Sequence, residues 1–297
     1  MISYLLLAAS ILLAVCKSAL YNAYAKHNEL TWHALFRFNA ISYGVATAIA
    51  CIGAILAAQL PSAVTVVCAF FYAAIVISLQ TVSISAMHAG AMSVTSMFVM
   101  YGMIIPAVAG PLFWHEPIGA LQIAGICLML LSLWLLREKA PQGASATEKK
   151  WIVPALVAFL LSGMAGVMEK IHQSTGAKAE RLPFVLVACA FMFAFSLGAI
   201  WIKRKPMQAG AEPVGAARSS ASMLAALSGM VIGVYSTVNL ILSGRLDSMI
   251  YYPVANGGAL LLTVLVSVLL FRERPSRRSG IGFVIGLAGI LCLSIPI

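Results

Sequence analysis

The stretch REKAPQGASATEKK, residues 137–150, is a charged and polar run between two long apolar halves of the chain. Of the 297 residues, 62% are hydrophobic and only 9% are charged, and the mean hydropathy is +0.98. Soluble domains are about half apolar and about a quarter charged, so this chain lacks the polar residues that a water-facing surface needs. The composition excludes a soluble globular protein, a disordered chain and a nucleic-acid-binding protein, and it predicts a polytopic membrane protein.

On both sides of the polar run, the apolar residues form blocks of about twenty, the length at which a helix crosses a hydrocarbon core of about 30 Å. We predict an all-α integral membrane protein with ten transmembrane helices, arranged as two inverted five-helix repeats. Residues 1–136 form the first repeat, residues 137–150 a cytoplasmic linker, and residues 151–297 the second repeat. The predicted helices are residues 2–24, 32–57, 63–85, 89–114, 118–136, 151–171, 183–202, 221–242, 248–271 and 278–295.

A weak internal similarity relates the two halves. Halves that each cross the membrane an odd number of times lie in opposite orientations. Secondary transporters are often built in this way, with the binding site near the midplane between the halves. The matched pairs, at offsets of 144 and 157 residues, are Ser18 with Ser162, Lys26 with Lys170, Glu116 with Glu273, and Gly125 with Gly282.

The basic residues predict how the chain is oriented. Of the 19 Lys and Arg residues, 13 fall in loops after odd-numbered helices and four on the opposite side, while Lys17 and Arg37 lie inside predicted spans. Cytoplasmic loops carry an excess of Lys and Arg, so this distribution predicts that the loops after odd-numbered helices are cytoplasmic and that both termini lie outside.

The last two predicted helices, SMIYYPVANGGALLLTVLVSVLLFRERPSRRSGIGFVIGLAGILCLSI over residues 248–295, carry a Tyr-x-x-x-x-Gly pattern, a Phe-x-Glu end and a Gly-rich final helix. This pattern resembles the small multidrug resistance proteins. In the first half, residues 36–38 (Phe-Arg-Phe), Pro106, Glu116 and Gly125 resemble EamA-type members of the drug/metabolite transporter superfamily. The resemblance implies ten helices in two five-helix repeats, transport of small molecules, and a bacterial inner (plasma) membrane location.

One position departs from this resemblance. Small multidrug resistance proteins carry a membrane-embedded glutamate in the first helix, eight residues before a lysine, which exchanges protons for cationic drugs. The same count back from Lys26 and Lys170 arrives at Ser18 and Ser162. Proton-for-cation exchange by that residue is therefore not expected here.

Lys17 is the sharpest site candidate, because a charge in the hydrocarbon costs about 2.5–3.5 kcal/mol on insertion scales and is a functional hypothesis by default. Tyr21, four residues on, shares its helix face. The functional interpretation is a cavity cation that binds a carboxylate, a phosphate or another electron-rich group. The alternative is a lysine that extends its stem towards the cytoplasmic interface.

Further candidates are polar residues inside predicted spans. Arg37 either belongs to the site or bonds helix-end carbonyls and lipid phosphates, as arginines near helix ends commonly do. Glu169 is predicted to be a solvated helix terminus, and the alternative is a carboxylate at a cavity mouth that relays protons. The predicted cavity residues are Lys17, Tyr21, Arg37, Gln80, Ser96, Tyr101, Tyr235, Asn239, Tyr252 and Asn256.

These features favour a secondary transporter that exports small metabolites, such as amino acids or related zwitterions and anions, by alternating access. The alternatives are an exporter of lipophilic cations or drugs, with tyrosines making cation–π contacts, and a lipid-translocating subunit. Without a G-x-x-x-x-G-K-[ST] loop, paired intramembrane carboxylates or a His-Glu-x-x-His motif, we expect no enzyme activity, no cofactor and no metal. The expected partners are a small-molecule substrate and the lipid bilayer, with no nucleic acid, and a monomer could suffice.

Overall fold

The computed structural model describes the backbone of residues 2–57, 59–90, 92–115, 118–136, 152–175, 180–202, 215–243, 248–272, 276–293 and 295. Several predicted features lie outside these described residues. They are the linker at 137–150, Glu116 and Glu273.

The described part of the chain is all-α. Its helices are α1 (Ile2–His27), α2 (Trp32–Ala57), α3 (Ala63–Ala89), α4 (Met92–Tyr101), α5 (Ile104–Trp114), α6 (Ala120–Leu136), α7 (Ile152–Ser174), α8 (Arg181–Ile202), α9 (Gly215–Ser243), α10 (Ser248–Leu269) and α11 (Arg277–Leu293).

Each predicted helix coincides with one of these elements, except that the fourth consists of α4 and α5. Within the described residues, seven spans are long and apolar enough to cross a membrane, and α6 and α10 contain shorter apolar helices, Ala120–Leu135 and Ala255–Leu269. Large apolar side chains on the outside, such as Trp134 and Val284, are 61% and 70% exposed, as expected for side chains that face lipid. The molecule is a multi-pass membrane protein.

The fourth span is interrupted at Gly102 and Met103, which form a turn between α4 and α5. Pro106 has no N–H to donate to the carbonyl of Gly102, four residues earlier, and this loosens the helix. The Ile105 N–H bonds the Gly102 carbonyl at 3.0 Å instead. Only glycine fits at position 102, because an added Cβ would lie 2.6 Å from the Cβ of Ser162 on α7.

The most extensive helix contacts join one helix from each half of the chain. α2 packs on α8 and α9, α3 on α7 and α8, and α1 on α9 and α10. α4 and α5 pack on α7, α4 also touches α10, and α6 packs along α11. Each half therefore depends on the other for its core.

Candidate functional site

Lys17 lies half-buried on α1, inside an apolar span. Its Nζ is 4.8 Å from the centroid of the Tyr235 ring on α9. The negative face of an aromatic ring attracts a cation at this distance, and the attraction is strongest where water is excluded. Lys17 therefore lies at the contact between α1 and α9, which belong to different halves of the chain.

Two glycines on α9 seat Tyr235 in this position. An added Cβ at Gly233 would lie 2.9 Å from the Cβ of Ile49, and one at Gly229 would overlap the carbonyl oxygen of Ser42. These glycines are four residues apart and share one face of the helix. That face packs closely on α2, while Tyr235 lies towards α1.

Asn239 extends the same contact by one turn. The Ser10 hydroxyl on α1 donates to the Asn239 side-chain oxygen at 2.6 Å. The side chain of Asn239 also hydrogen-bonds the Tyr235 hydroxyl. Ser10 and Lys17 are seven residues apart, two turns along one face of α1, so one face of α1 meets one face of α9.

Glu169 on α7 is the residue that the sequence analysis assigned wrongly. It is half-buried, and the Tyr72 hydroxyl on α3 donates to its Oε1 at 2.9 Å. Its carboxylate also interacts electrostatically with Tyr235. The predicted helix ends at residue 171, whereas α7 continues to Ser174, and the extra turn places Glu169 inside the span.

We call Ser10, Lys17, Tyr72, Glu169, Tyr235 and Asn239 the central polar cluster. Lys17 and Glu169 lie on the first helix of their halves, and Tyr72 and Tyr235 on the third. Each tyrosine contacts the charged residue of the other half. Among the residues that the structure describes, neither Lys17 nor Glu169 has an oppositely charged ion-pair partner.

A second polar network begins one turn along α1 from Lys17. The Tyr21 hydroxyl donates to the Gln80 side-chain oxygen at 2.8 Å, and the Gln80 amide donates to Asn39 at 2.9 Å. The Asn39 amide in turn donates to the Thr81 hydroxyl at 2.8 Å. The structure thus joins the predicted residues Tyr21 and Gln80 directly, in a chain of neutral groups.

Tyr101 is placed elsewhere. Its hydroxyl bonds Ser132 on α6 at 3.0 Å, and Ser132 donates to the Gly282 carbonyl on α11 at 2.6 Å. An added Cβ at Gly286 would overlap the Tyr101 hydroxyl and lie 2.6 Å from Met97 Cε. We call Tyr101, Ser132, Gly282 and Gly286 the α6–α11 lock. It is fully buried, and it joins α4 to the pair of helices at the edge of the molecule.

The remaining predicted residues are dispersed. Arg37 is exposed on α2. Ser96 is buried on α4, and its hydroxyl has no hydrogen-bond partner among the described residues. Asn256 is half-buried on α10, and the side chain of Tyr252 lies outside the described residues.

Hydrogen bonds join the helices at one end of the molecule through Glu180, just before α8. The Thr65 hydroxyl donates a hydrogen bond to Glu180 Oε2 at 2.5 Å, and the Ser62 N–H donates to the same oxygen at 2.8 Å. His172 Nε2 lies 3.0 Å from the Thr65 hydroxyl. The bonds from Thr65 and Ser62 favour the charged carboxylate and hold the pKa of Glu180 below its usual range. We call Ser62, Thr65, His172 and Glu180 the Glu180 clasp.

Other hydrogen bonds join the helices at the opposite end. Lys26 Nζ donates to the carbonyl of Gly90 at 3.1 Å and to that of His88 at 3.4 Å, which ties the end of α1 to the connection between α3 and α4. The Trp32 indole donates to the Ala199 carbonyl at 3.1 Å, which ties α2 to α8. The central polar cluster thus lies between two ends that are each held together.

A metal site does not emerge from the described residues, where no three His, Cys, Asp or Glu side chains come together.

Comparisons with known proteins establish the fold. No family model matches the chain. A Haemophilus influenzae protein described as uncharacterized is 25% identical in an alignment of 201 residues. The alignment covers 64% of this chain and 62% of that protein, so the match spans less than two thirds of the relative. One protein of known crystal structure matches this chain with a TM-score of 0.58 and 15% sequence identity, and the match covers 96% of both chains. The overall fold is therefore shared along almost the whole chain.

Proposed function

We propose that this protein is a secondary transporter of small metabolites, such as amino acids or related zwitterions and anions, that works by alternating access between its two halves. The observation that carries the proposal is the central polar cluster, in which each half supplies a charged residue and the tyrosine that contacts the other half's charge. Charged residues inside a membrane span commonly mark substrate or ion pathways. Movement between the halves would rearrange these contacts.

The helix contacts support an inverted repeat. Matching the halves pairs α1 with α7, α2 with α8, α3 with α9, the α4–α5 span with α10, and α6 with α11. Under this exchange the α1–α9 contact becomes α7–α3, α2–α9 becomes α8–α3, and α1–α10 becomes α7–α4, and all of these contacts are present. The contacts α2–α8, α4–α10 and α6–α11 map onto themselves. Such two-fold packing suits halves that rock against each other around a fixed site.

The orientation predicted from the basic residues places the Glu180 clasp outside and Lys26 in the cytoplasm of a bacterial cell. Alternating access then requires the bonds at each end to open in turn. The sequence has no phosphate-binding G-x-x-x-x-G-K-[ST] loop. We infer that transport is powered by an ion gradient, by solute exchange or by downhill flow.

Export of lipophilic cations is the second candidate. The carboxylate of Glu169 and the rings of Tyr72 and Tyr235 are groups that bind cations. Under this alternative Lys17 would repel the substrate, so replacing it would not weaken transport.

Counterflow into proteoliposomes tests both candidates. The purified protein is assayed with amino acids, carboxylate metabolites and lipophilic cations, beside Lys17→Met. We expect carboxylate-bearing solutes to exchange across the membrane and this exchange to fall at least about tenfold in Lys17→Met, since a bond to a charged group contributes about 1.5–3 kcal/mol. Arg278→Met is the control, because Arg278 also packs over an aromatic ring, that of Trp134 at 4.9 Å, but on α11.

No exchange of any solute by the wild-type protein would overturn the transport proposal. Exchange of lipophilic cations alone, unchanged or faster in Lys17→Met, would replace the leading candidate with the second.

A further inference from the structure

Lys17 and Glu169 carry opposite charges and both interact with Tyr235, and we call them the positive and the negative pole of the central polar cluster. Lys17 Nζ lies over the tyrosine ring at 4.8 Å, and the Glu169 carboxylate interacts with the same residue. The two charges come from the first helices of the two halves and are not ion-paired with each other. Their polar contacts are neutral, a ring face for Lys17 and the Tyr72 hydroxyl for Glu169.

Neutral contacts do not neutralise a charge in an apolar span. A buried ion stays costly unless an opposite charge or several hydrogen bonds compensate it. The simplest compensation would be a direct Lys17–Glu169 ion pair, but the described side chains of Lys17 and Glu169 contact tyrosines and do not pair with each other. The site is therefore complementary to a ligand that brings both missing charges.

We propose that Glu169 binds the ammonium group of the substrate and Lys17 its carboxylate, so that the substrate is a zwitterion of the α-amino acid type. Tyr72 is a positioning residue, because its hydroxyl orients the Glu169 carboxylate. This inference rests on the proposed transport function and narrows it. It assigns Glu169 and Tyr72 to a substrate site for which the sequence predicted Lys17 but neither of these two residues.

Ligands with a single charge satisfy only half of this arrangement. A carboxylic acid without an amine compensates Lys17 and leaves Glu169, while an amine or lipophilic cation does the reverse. A proton on Glu169 would neutralise that pole alone. A zwitterion compensates both poles without adding net charge to the span, which is the least costly outcome in hydrocarbon.

Ligand-dependent thermal unfolding of the full-length protein in detergent tests the inference. The probes are the protein amino acids at millimolar concentration and, for each one that binds, the acid without its amino group and the amine without its carboxylate. For leucine these are 4-methylpentanoate and 3-methylbutylamine. A ligand at 100 times its dissociation constant stabilises by about 2.7 kcal/mol, which a melting curve resolves. We expect the amino acid to bind at least about tenfold more tightly than either analogue.

The variants separate the two poles. In Glu169→Gln we expect the amino acid to lose about 10- to 100-fold in affinity while the deaminated acid binds as in the wild type. In Lys17→Met we expect both the amino acid and the acid to lose affinity while the amine keeps it. Tyr72→Phe keeps the Glu169 carboxylate but removes its donor, so we expect a smaller loss confined to ligands with an amine. This pattern would not follow from a purely structural role.

Lys170→Gln and Glu29→Gln are the controls, because each removes one charge outside the central polar cluster without changing Lys17 or Glu169. Unliganded melting temperatures and gel-filtration profiles verify that each variant is folded, and Tyr72→Phe provides a second test of this pole if Glu169→Gln does not fold.

Three results would overturn the inference. They are that no amino acid binds, that Glu169→Gln and Tyr72→Phe bind the amino acid like the wild type, or that Glu169→Gln weakens the acid as much as the amino acid. If counterflow of carboxylates still depends on Lys17 in those cases, the transport proposal survives and only the zwitterion assignment fails. If Glu169→Gln instead abolishes dependence on a pH gradient without changing amino-acid affinity, Glu169 carries a proton and the inference is wrong.

Discussion

Tyr72 and Tyr101 each bond a polar group on a neighbouring helix, but their surroundings differ. In the α6–α11 lock, Tyr101 bonds Ser132, which bonds the Gly282 carbonyl, and the chain of donors and acceptors is complete. In the central polar cluster, Tyr72 bonds Glu169, whose charge no described side chain neutralises. A completed network stabilises a helix contact, whereas an uncompensated charge at a contact between halves marks a place where a ligand is needed.

The largest expected effect comes from adding a methyl group to the α6–α11 lock, where the packing leaves no room for it. Gly286→Ala places a methyl group where the Tyr101 hydroxyl lies. We expect the free energy of unfolding to fall by about 1–3 kcal/mol, because an added group in a packed core forces its neighbours to shift. The measurement is thermal unfolding in detergent, with ligand affinity measured alongside.

Gly280→Ala is the matched control on the same helix, since an added Cβ there meets nothing within 4 Å. Equal melting temperatures for the two variants would contradict the lock as described.

Removing one hydroxyl from each region compares them directly. Tyr101→Phe takes a bond from Ser132, and we expect it to cost about 1 kcal/mol of stability with no change in transport. Tyr72→Phe is the same chemical change beside Glu169, and we expect the opposite result: a smaller effect on the melting temperature and a clear loss of transport. The readouts are melting temperature and counterflow rate for both variants. If the two variants lose stability and transport in the same proportion, the distinction between the regions is wrong.

The Glu180 clasp provides the smallest expected effect, and that effect disappears in acid. Its hydrogen bonds hold the pKa of Glu180 below its usual range in the folded protein, so the unfolded chain binds the proton more readily. The resulting stability is present above the usual glutamate pKa of about 4.3 and is lost as the pH falls through the lower folded value. We expect the melting temperature of the wild type to exceed that of Glu180→Gln at neutral pH and the two to converge in acid.

Glu29→Gln removes an exposed carboxylate at the other end of the molecule and should follow the wild type throughout. A gap between the wild type and Glu180→Gln that persists unchanged into acid would contradict the assignment of this stability to the charged carboxylate.

The helices were predictable because bilayer thickness limits the length of a span, and the apolar blocks show where each span begins and ends. The bounds of α2 agree with the prediction to the residue. The break at Gly102 was not predicted, because it depends on the approach of Ser162 on α7 as well as on Pro106, and one chain segment does not reveal its neighbour.

The site was predictable in part. Lys17 could be selected as a candidate from the sequence because a charge in an apolar block is costly wherever its partner lies. Glu169 was missed because the predicted helix ended three residues too early and because its partner, Tyr72, is 97 positions away in the sequence. A single sequence contains no signal that joins such distant positions.

The packing of each helix against the opposite half bears on how the protein is made. The ribosome delivers α1 to α6 to the membrane first, yet α2 finds its main contacts on α8 and α9, and α6 finds its main contact on α11. The early helices therefore enter the membrane before their final neighbours are made, and α6 has no main packing partner until α11 is inserted. Newly synthesised chains should be open to membrane proteases and to pairing with other nascent chains until translation ends, a period of vulnerability that a membrane protein with self-contained halves would not share.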